Sequence, residues 1–190
     1  MEQDRYILQR AAPAEAEECY RLMRRVWTEL ENREVFAVDE LSLDWVRENM
    51  SVRGFGITAR TPEGELAGML IVVCPGTDED SYGWEAGLSG EELNRVRNME
   101  VAAVLPEHRG HGLERRMLAC AEELMESDGP LYLMATISPD NPPSLRTAEK
   151  LGYRVLLTKN MYGAHLRHIL VKPIGGADLR VFEKYLSERE

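Results

Sequence analysis

The stretch from Val101 to Leu118, VAAVLPEHRGHGLERRML, changes its period halfway along. Its opening, Val101 to Leu105, is an apolar run of strand length. From Leu113 onward the apolar residues Leu113, Met117, Leu118, Ala121, Leu124 and Met125 fall on one helical face. Between the two stands Arg109-Gly110-His111-Gly112, so a buried strand near Met99 to Leu105 feeds directly into a helix that begins near Gly110. The first backbone N–H groups of a helix lack intrahelical partners, and the helix dipole favours an anion beyond them. Glycines at 110 and 112 remove side chains from that approach and permit backbone conformations closed to other residues. Arg109 adds a charge-assisted donor. The seam therefore reads as a pyrophosphate cradle. The competing reading, a plain strand-to-helix turn, needs only one of the two glycines.

The rest of the chain sets this seam in an α/β context. Arg5 to Ala11 reads as a first strand, and Pro13 opens a helix with Ala16, Tyr20, Met23, Trp27 and Leu30 at helical spacing. A second helix is expected across DELSLDWVRENM. FGITART and GELAGMLIVVC read as a hairpin joined by Thr61-Pro62-Glu63-Gly64. Pro75 to Asn98 is long, polar and acidic, as functional or disordered loops are, with a short helix expected from Gly90 to Arg97. LYLMATI is a further strand. SPDNPPSLRTAEKLG places asparagine and proline before a short helix that stops at Gly152, an expected left-handed cap. YRVLLTKNMY and HLRHILVKPI are two last strands. Hairpins alternate with crossovers, so the expectation is a mixed α/β sheet of about seven strands with helices on both faces. One domain is expected over 1–176, with a C-terminal helical extension over 177–190.

Composition narrows the function classes. A formal charge of −10 argues against nucleic acid or an anionic membrane as the main partner. Three isolated cysteines, Cys19, Cys74 and Cys120, form no C-x-x-C pair and suggest reduced thiols in a cytoplasmic setting. No run approaches the ~18 apolar residues of a membrane span. His108 and His111 beside Glu107 lack a distant partner set, so no metal is expected, and both histidines are expected to be solvated or near the anion. Arg115 and Arg116 read equally as donors to a further phosphate and as solvated residues of the helix surface.

The anion can be narrowed. A dinucleotide fingerprint would need glycine where Arg115 stands, and a P-loop would need G-K-[ST]. Strand, R-G-x-G and helix, followed by Asn141, Ser144 and Gly152 in NPPSLRTAEKLGY, together resemble the GNAT superfamily of acyl-CoA-dependent N-acetyltransferases. The resemblance covers roughly Arg5 to Ile174. It implies acetyl-CoA as acyl donor co-substrate and no metal, with contacts from Val104, Leu105, Arg109, Gly110, His111, Gly112 and Leu113. Asn141 and Ser144 would lie along the pantetheine arm, and backbone N–H groups at Val104 and Leu105 would polarise the thioester carbonyl. Two departures stand out. Either phase of the family's glycine pattern leaves a glutamate, Glu107 or Glu114, where none is expected. Ala148 occupies the position of the family's tyrosine acid, so Tyr153, Tyr162 or water would have to protonate the leaving thiolate.

Glu100 interrupts the strand that leads into the cradle. A carboxylate in a central strand is expensive to bury unless it is paired or functional. By alternation it shares a face with Asn98, Ala102 and Val104. The catalytic expectation is Glu100 as general base toward a primary amine, with a small molecule as the expected acceptor and Asn98 holding a relay water. A degenerate CoA-binding or sensing module is the alternative, and an anion-binding scaffold without CoA is a third. The acidic residues Asp78, Glu79, Asp80, Glu85, Glu91 and Glu92 would favour a cationic acceptor, and a homodimer is compatible with the resemblance.

Overall fold

The computed structural model describes residues 6–186. In chain order the elements are β1 (Ile7–Arg10), α1 (Ala16–Glu29), α2 (Leu43–Asn49), β2 (Gly54–Arg60), β3 (Leu66–Val73), α3 (Tyr82–Glu85), β4 (Val96–Val104), α4 (Leu113–Met125), β5 (Leu131–Ile137), α5 (Pro142–Lys150), β6 (Arg154–Met161), β7 (His165–Ile174) and α6 (Glu183–Leu186). The strands run in the order β1-β2-β3-β4-β5-β7-β6. The β1–β2, β2–β3, β5–β7 and β6–β7 ladders are antiparallel, and β4–β5 is parallel. This is the mixed α/β class, with seven strands and helices on both faces, that hairpins alternating with crossovers imply.

The chain divides into two compact units, residues up to Val73 with Glu100–Glu123, and Cys74–Met99 with the residues from Leu124 on. In the first, β3 is buried along its whole length, as a central strand covered on both faces must be. Its odd-numbered residues Met69, Ile71 and Val73 join Val101, Ala103 and Leu105 against α1 and α2. On the opposite face, Gly68 lies close to Met117 of α4. The buried stripe of α1 is Ala16, Cys19, Leu22, Met23 and Val26, one step around the helix from the stripe expected through Tyr20 and Trp27. Trp27 instead lies at the core's margin, with the Arg24 and Arg33 guanidinium groups 4.5 and 4.6 Å from its ring. An indole is well suited to a margin, because its apolar body packs while its faces attract cations.

The second unit has its own core of Val96, Tyr132, Met134, Leu156, Ile169, Val171 and Phe182. Phe182 meets Tyr132 edge-on, with ring centroids 5.1 Å apart. The segment before β4, read from sequence as a polar loop, also belongs to this core. Tyr82, Ala86, Leu88 and Leu93 are all buried there, spaced among acidic residues that hide their pattern. The expected helix at its end is a 3-10 turn, Gly90–Arg95. β4 begins at Val96, three residues earlier than the sequence suggests, because Val96 is fully buried and pairs with Tyr132 despite its polar neighbours. The expected terminal helix is a 3-10 turn, Leu179–Phe182, followed by α6; its last part, 187–190, lies outside the described residues. Among the described residues no helix is long and apolar enough to cross a membrane.

Candidate active site

The seam is built in the first unit by β4, a 3-10 turn over Pro106–His108, and α4, which starts at Leu113 rather than near Gly110. Gly110 and Gly112 have φ of +82° and +68°, values that L side chains resist. A Cβ on Gly110 would meet nothing within 4 Å, and one on Gly112 only the Arg115 guanidinium at 4.0 Å. These glycines are therefore not required by packing. They are required by a left-handed path that leaves open space in front of α4. The Gly112 carbonyl accepts from the Arg116 amide at 3.0 Å, which places Gly112 at the helix cap. The first-turn amides from Leu113 on then have no intrahelical acceptor, and an anion in the open space would be their natural partner.

The side chains around the seam sort into those held by the protein and those facing outward. Arg109 is exposed, and its Nε donates to the Val104 carbonyl at 3.3 Å. Glu107 pairs with Arg25 of α1 at 2.8 Å, and Arg25 also holds Glu29. A backbone hydrogen bond at Glu107 and the Arg25 guanidinium hold its carboxyl below the usual range. The departure from the family pattern at Glu107 thus has a physical resolution, since the carboxylate is drawn to α1. Arg116 donates to the Tyr6 carbonyl at 3.0 Å, which leaves Arg115, exposed, as the outward-facing arginine of the pair.

The histidines are neither fully solvated nor simply near the anion. His108 Nδ1 is 3.0 Å from the Tyr6 hydroxyl, and its ring stands edge-on to Tyr6. His111 Nδ1 is 3.2 Å from the His108 carbonyl, which requires the proton on that nitrogen, and its ring also lies against Tyr6. Sequence reading missed Tyr6 as the residue that braces the seam. Its partners lie about a hundred positions away, and no local pattern reports such a distance.

Along β4 the residues Glu100, Ala102 and Val104 are half-buried while Val101 and Ala103 are buried, the alternation expected of a strand. The Leu105 amide donates to the Ala67 carbonyl at 3.0 Å. That N–H is therefore committed to β3, and successive residues of a strand turn their amides to opposite edges. Of the two amides expected to polarise a carbonyl, the one at Leu105 is thus already engaged.

In the second unit, Asn98 is fully buried. Its Oδ1 accepts from the Tyr82 amide at 3.3 Å, and its Nδ2 donates to the Asp80 carbonyl at 2.9 Å. The carboxamide thus pins the loop before α3 to β4. Asn141 caps α5, its Oδ1 accepting from the Ser144 amide at 3.4 Å. Gly152 ends α5 with φ +91°, and the Tyr153 amide closes on the Ala148 carbonyl at 3.0 Å, the left-handed cap expected from sequence. Ala148 is buried, and Tyr153 is buried beside it in sequence beyond that cap. Tyr162 is 42% exposed. Its hydroxyl lies 2.8 Å from that of Tyr82 and 3.0 Å from Thr136 Oγ1. Glu85, one of the loop acids, pairs with Lys159.

No curated protein matches the chain by sequence. Among solved structures, the ribosomal-protein-S18-alanine N-acetyltransferase of Escherichia coli is similar over 91% of this chain and 96% of its own, with TM-score 0.66 and 16% identity. A phosphinothricin acetyltransferase from Sinorhizobium meliloti, in complex with acetyl-CoA, is similar over 90% of each chain, with TM-score 0.68 and 15% identity. A mosquito arylalkylamine N-acetyltransferase-like protein covers 89% of this chain and all of its own, with TM-score 0.61 and 18% identity. At these identities the likeness is one of fold. The acetyltransferase (GNAT) family model matches residues 16–153, which takes in α1 through the cap of α5 and all of the seam, and the chain belongs to that family.

Proposed function

We propose that this chain is an N-acetyltransferase that moves an acetyl group from acetyl-CoA to a primary amine, with a small molecule as acceptor. The observation that carries this reading is the pair of left-handed glycines, Gly110 and Gly112, with open space where their side chains would be. In this reading Arg109, His111 and Leu113 complete the cradle with the first-turn amides of α4, and Asn141 and Ser144 line the pantetheine arm. Support for placing the donor's pyrophosphate at the seam comes from the open space there, the exposed Arg109 beside it and the pairing of Glu107 with Arg25.

The chain's own contribution to the chemistry is orientation, carbonyl polarisation and proton removal. The Val104 amide is the donor assigned to the carbonyl. Glu100 is the general base, taking the amine's proton directly or through a water. The amine nitrogen forms the new C–N bond, the C–S bond breaks with its electron pair on sulfur, and the thiolate collects a proton from solvent or a hydroxyl. Asn98 is a positioning residue rather than the holder of a relay water, because its carboxamide already binds the loop backbone on both atoms. A second reading, CoA binding without catalysis, is favoured by the buried Ala148 where the family carries its tyrosine acid.

Titration with acetyl-CoA by calorimetry, followed by a mass-spectrometric screen of amines, tests both readings. Binding with acetylation supports the enzyme, binding without acetylation of any amine supports the second reading, and no binding sinks the cradle.

A further inference from the structure

Tyr6, immediately before β1, touches both sides of the seam. Its carbonyl accepts from the Arg116 guanidinium of α4 at 3.0 Å. Its hydroxyl lies 3.0 Å from His108 Nδ1, in the turn that precedes Gly110. The His108 and His111 rings both lie against its own, with centroids 5.7 and 5.5 Å away. Tyr6 is itself fixed by the sheet, because Ile7 opens β1 opposite Arg60 of β2, and it is only 6% exposed. All of these residues belong to the first unit.

The seam needs such a hold. Backbone bonds close the chain on either side of it, the His108 amide on the Leu105 carbonyl at 2.9 Å and the Arg116 amide on the Gly112 carbonyl at 3.0 Å. Between them run Gly110 and Gly112, both left-handed, with open space where side chains would be. Glycine loses more backbone freedom on ordering than any other residue. Freedom left for a ligand to remove is subtracted from its affinity. The contacts of Tyr6 remove it in advance. One reaches the turn before the glycines and the other reaches the helix after them, so the approach to α4 is set from a third element.

His108 makes this hold specific. Its Nε2 is buried, and Glu65 Oε2 lies 3.9 Å away, beyond hydrogen-bond reach. The hydrogen bond of the ring is therefore the one at Nδ1. Without the Tyr6 hydroxyl, that nitrogen would stay unpaired in the interior, which is costly, or the imidazole would swing out to water. Swinging out moves the turn that leads into Gly110.

We infer that Tyr6 is a positioning residue for acetyl-CoA: acting through His108 and Arg116, it orders the seam for a pyrophosphate before the donor arrives. The inference rests on the cradle reading of the seam.

Calorimetric titration of the full chain with acetyl-CoA tests it, with thermal melts showing that each variant is folded at the titration temperature. Tyr6→Phe keeps the ring and removes only the hydroxyl, and it should bind about tenfold more weakly. His108→Phe should lose a similar factor, and the double variant no more than either alone, because both changes break one bond. His108→Asn, whose carboxamide offers a polar group near the place of Nδ1, should bind within about twofold of the unaltered chain. A tyrosine kept for packing or stability alone predicts a shifted Tm with unchanged affinity in Tyr6→Phe, and that result overturns the inference while leaving the cradle standing. Additive losses in the double variant, or a His108→Asn as weak as His108→Phe, overturn it as well. No binding of acetyl-CoA by the unaltered chain overturns the cradle reading and this inference together.

Discussion

Two places in the first unit depend on glycine for opposite reasons. At Gly54, where β2 begins, an added Cβ would sit 2.0 Å from the Val72 carbonyl oxygen and 2.9 Å from that of Asn49. The side chain is missing there because β3 and the end of α2 fill the space. At Gly110 the space is empty and the backbone is left-handed. One glycine serves packing and the other keeps a surface clear. The two look alike in a sequence, and only their surroundings separate a glycine that packing requires from one that faces open space.

Gly54→Ala would break the comparison most severely. The overlap is with backbone, which no rotamer change relieves, so a stability loss of about 3 kcal/mol is expected. Calorimetry should record a Tm lower by about 6–12 °C.

Glu100→Gln separates the cradle from the chemistry. We expect kcat to fall about a hundredfold and the acidic limb of the pH–rate profile to flatten, with acetyl-CoA affinity unchanged. The basic limb should be weak throughout, for want of the usual tyrosine at Ala148. Full activity with the acidic limb intact would place the base elsewhere.

Gly112→Leu addresses the open side of the comparison. A leucine at positive φ costs about 1–2 kcal/mol, and the side chain enters the approach to α4. Acetyl-CoA should bind at least about tenfold more weakly while the fold survives. If Gly112→Leu instead unfolds the chain as Gly54→Ala does, and binds normally when folded, the distinction between the two glycines is lost.

Smaller effects sharpen the electrostatics of the seam. Arg25→Ala frees Glu107 to approach the cradle, and acetyl-CoA affinity should drop about threefold. Adding Glu107→Gln to that variant should restore it. The Glu107 carboxyl is held low in the folded chain, so its contribution is present above its unfolded pKa and lost as pH falls through the lower folded value. The Tm difference between the unaltered chain and Arg25→Ala should therefore shrink below the usual carboxylate range, by thermal melts at stepped pH.

The seam was legible in the sequence because its evidence is local. A change of period, two glycines and an arginine lie within a dozen residues, and helix-end physics acts over the same distance. Gly152 was legible for the same reason. The stripe of α1 was misplaced by one step because Tyr20 and Trp27 are as apolar as the residues that face the core. Which side is buried depends on where β3 lies. The polar segment before β4 hid a buried Tyr82 and Leu93 among acids, with too few apolar residues to show a period.

Local pattern alone thus determined the strand-to-helix seam, the hairpin and crossover order, the family resemblance and the unusual carboxylate on β4. Tertiary structure decided which groups around them were already engaged. It gave the Leu105 amide to Ala67 and the Asn98 carboxamide to the loop backbone, drew Glu107 to Arg25, braced His108 and His111 on Tyr6, and joined Tyr162 to Tyr82 and Thr136. Periodicity and turn chemistry report neighbours a few residues apart along the chain. Hydrogen bonds and ion pairs are satisfied across space, and most of these partners stand 16 to 102 positions away in sequence.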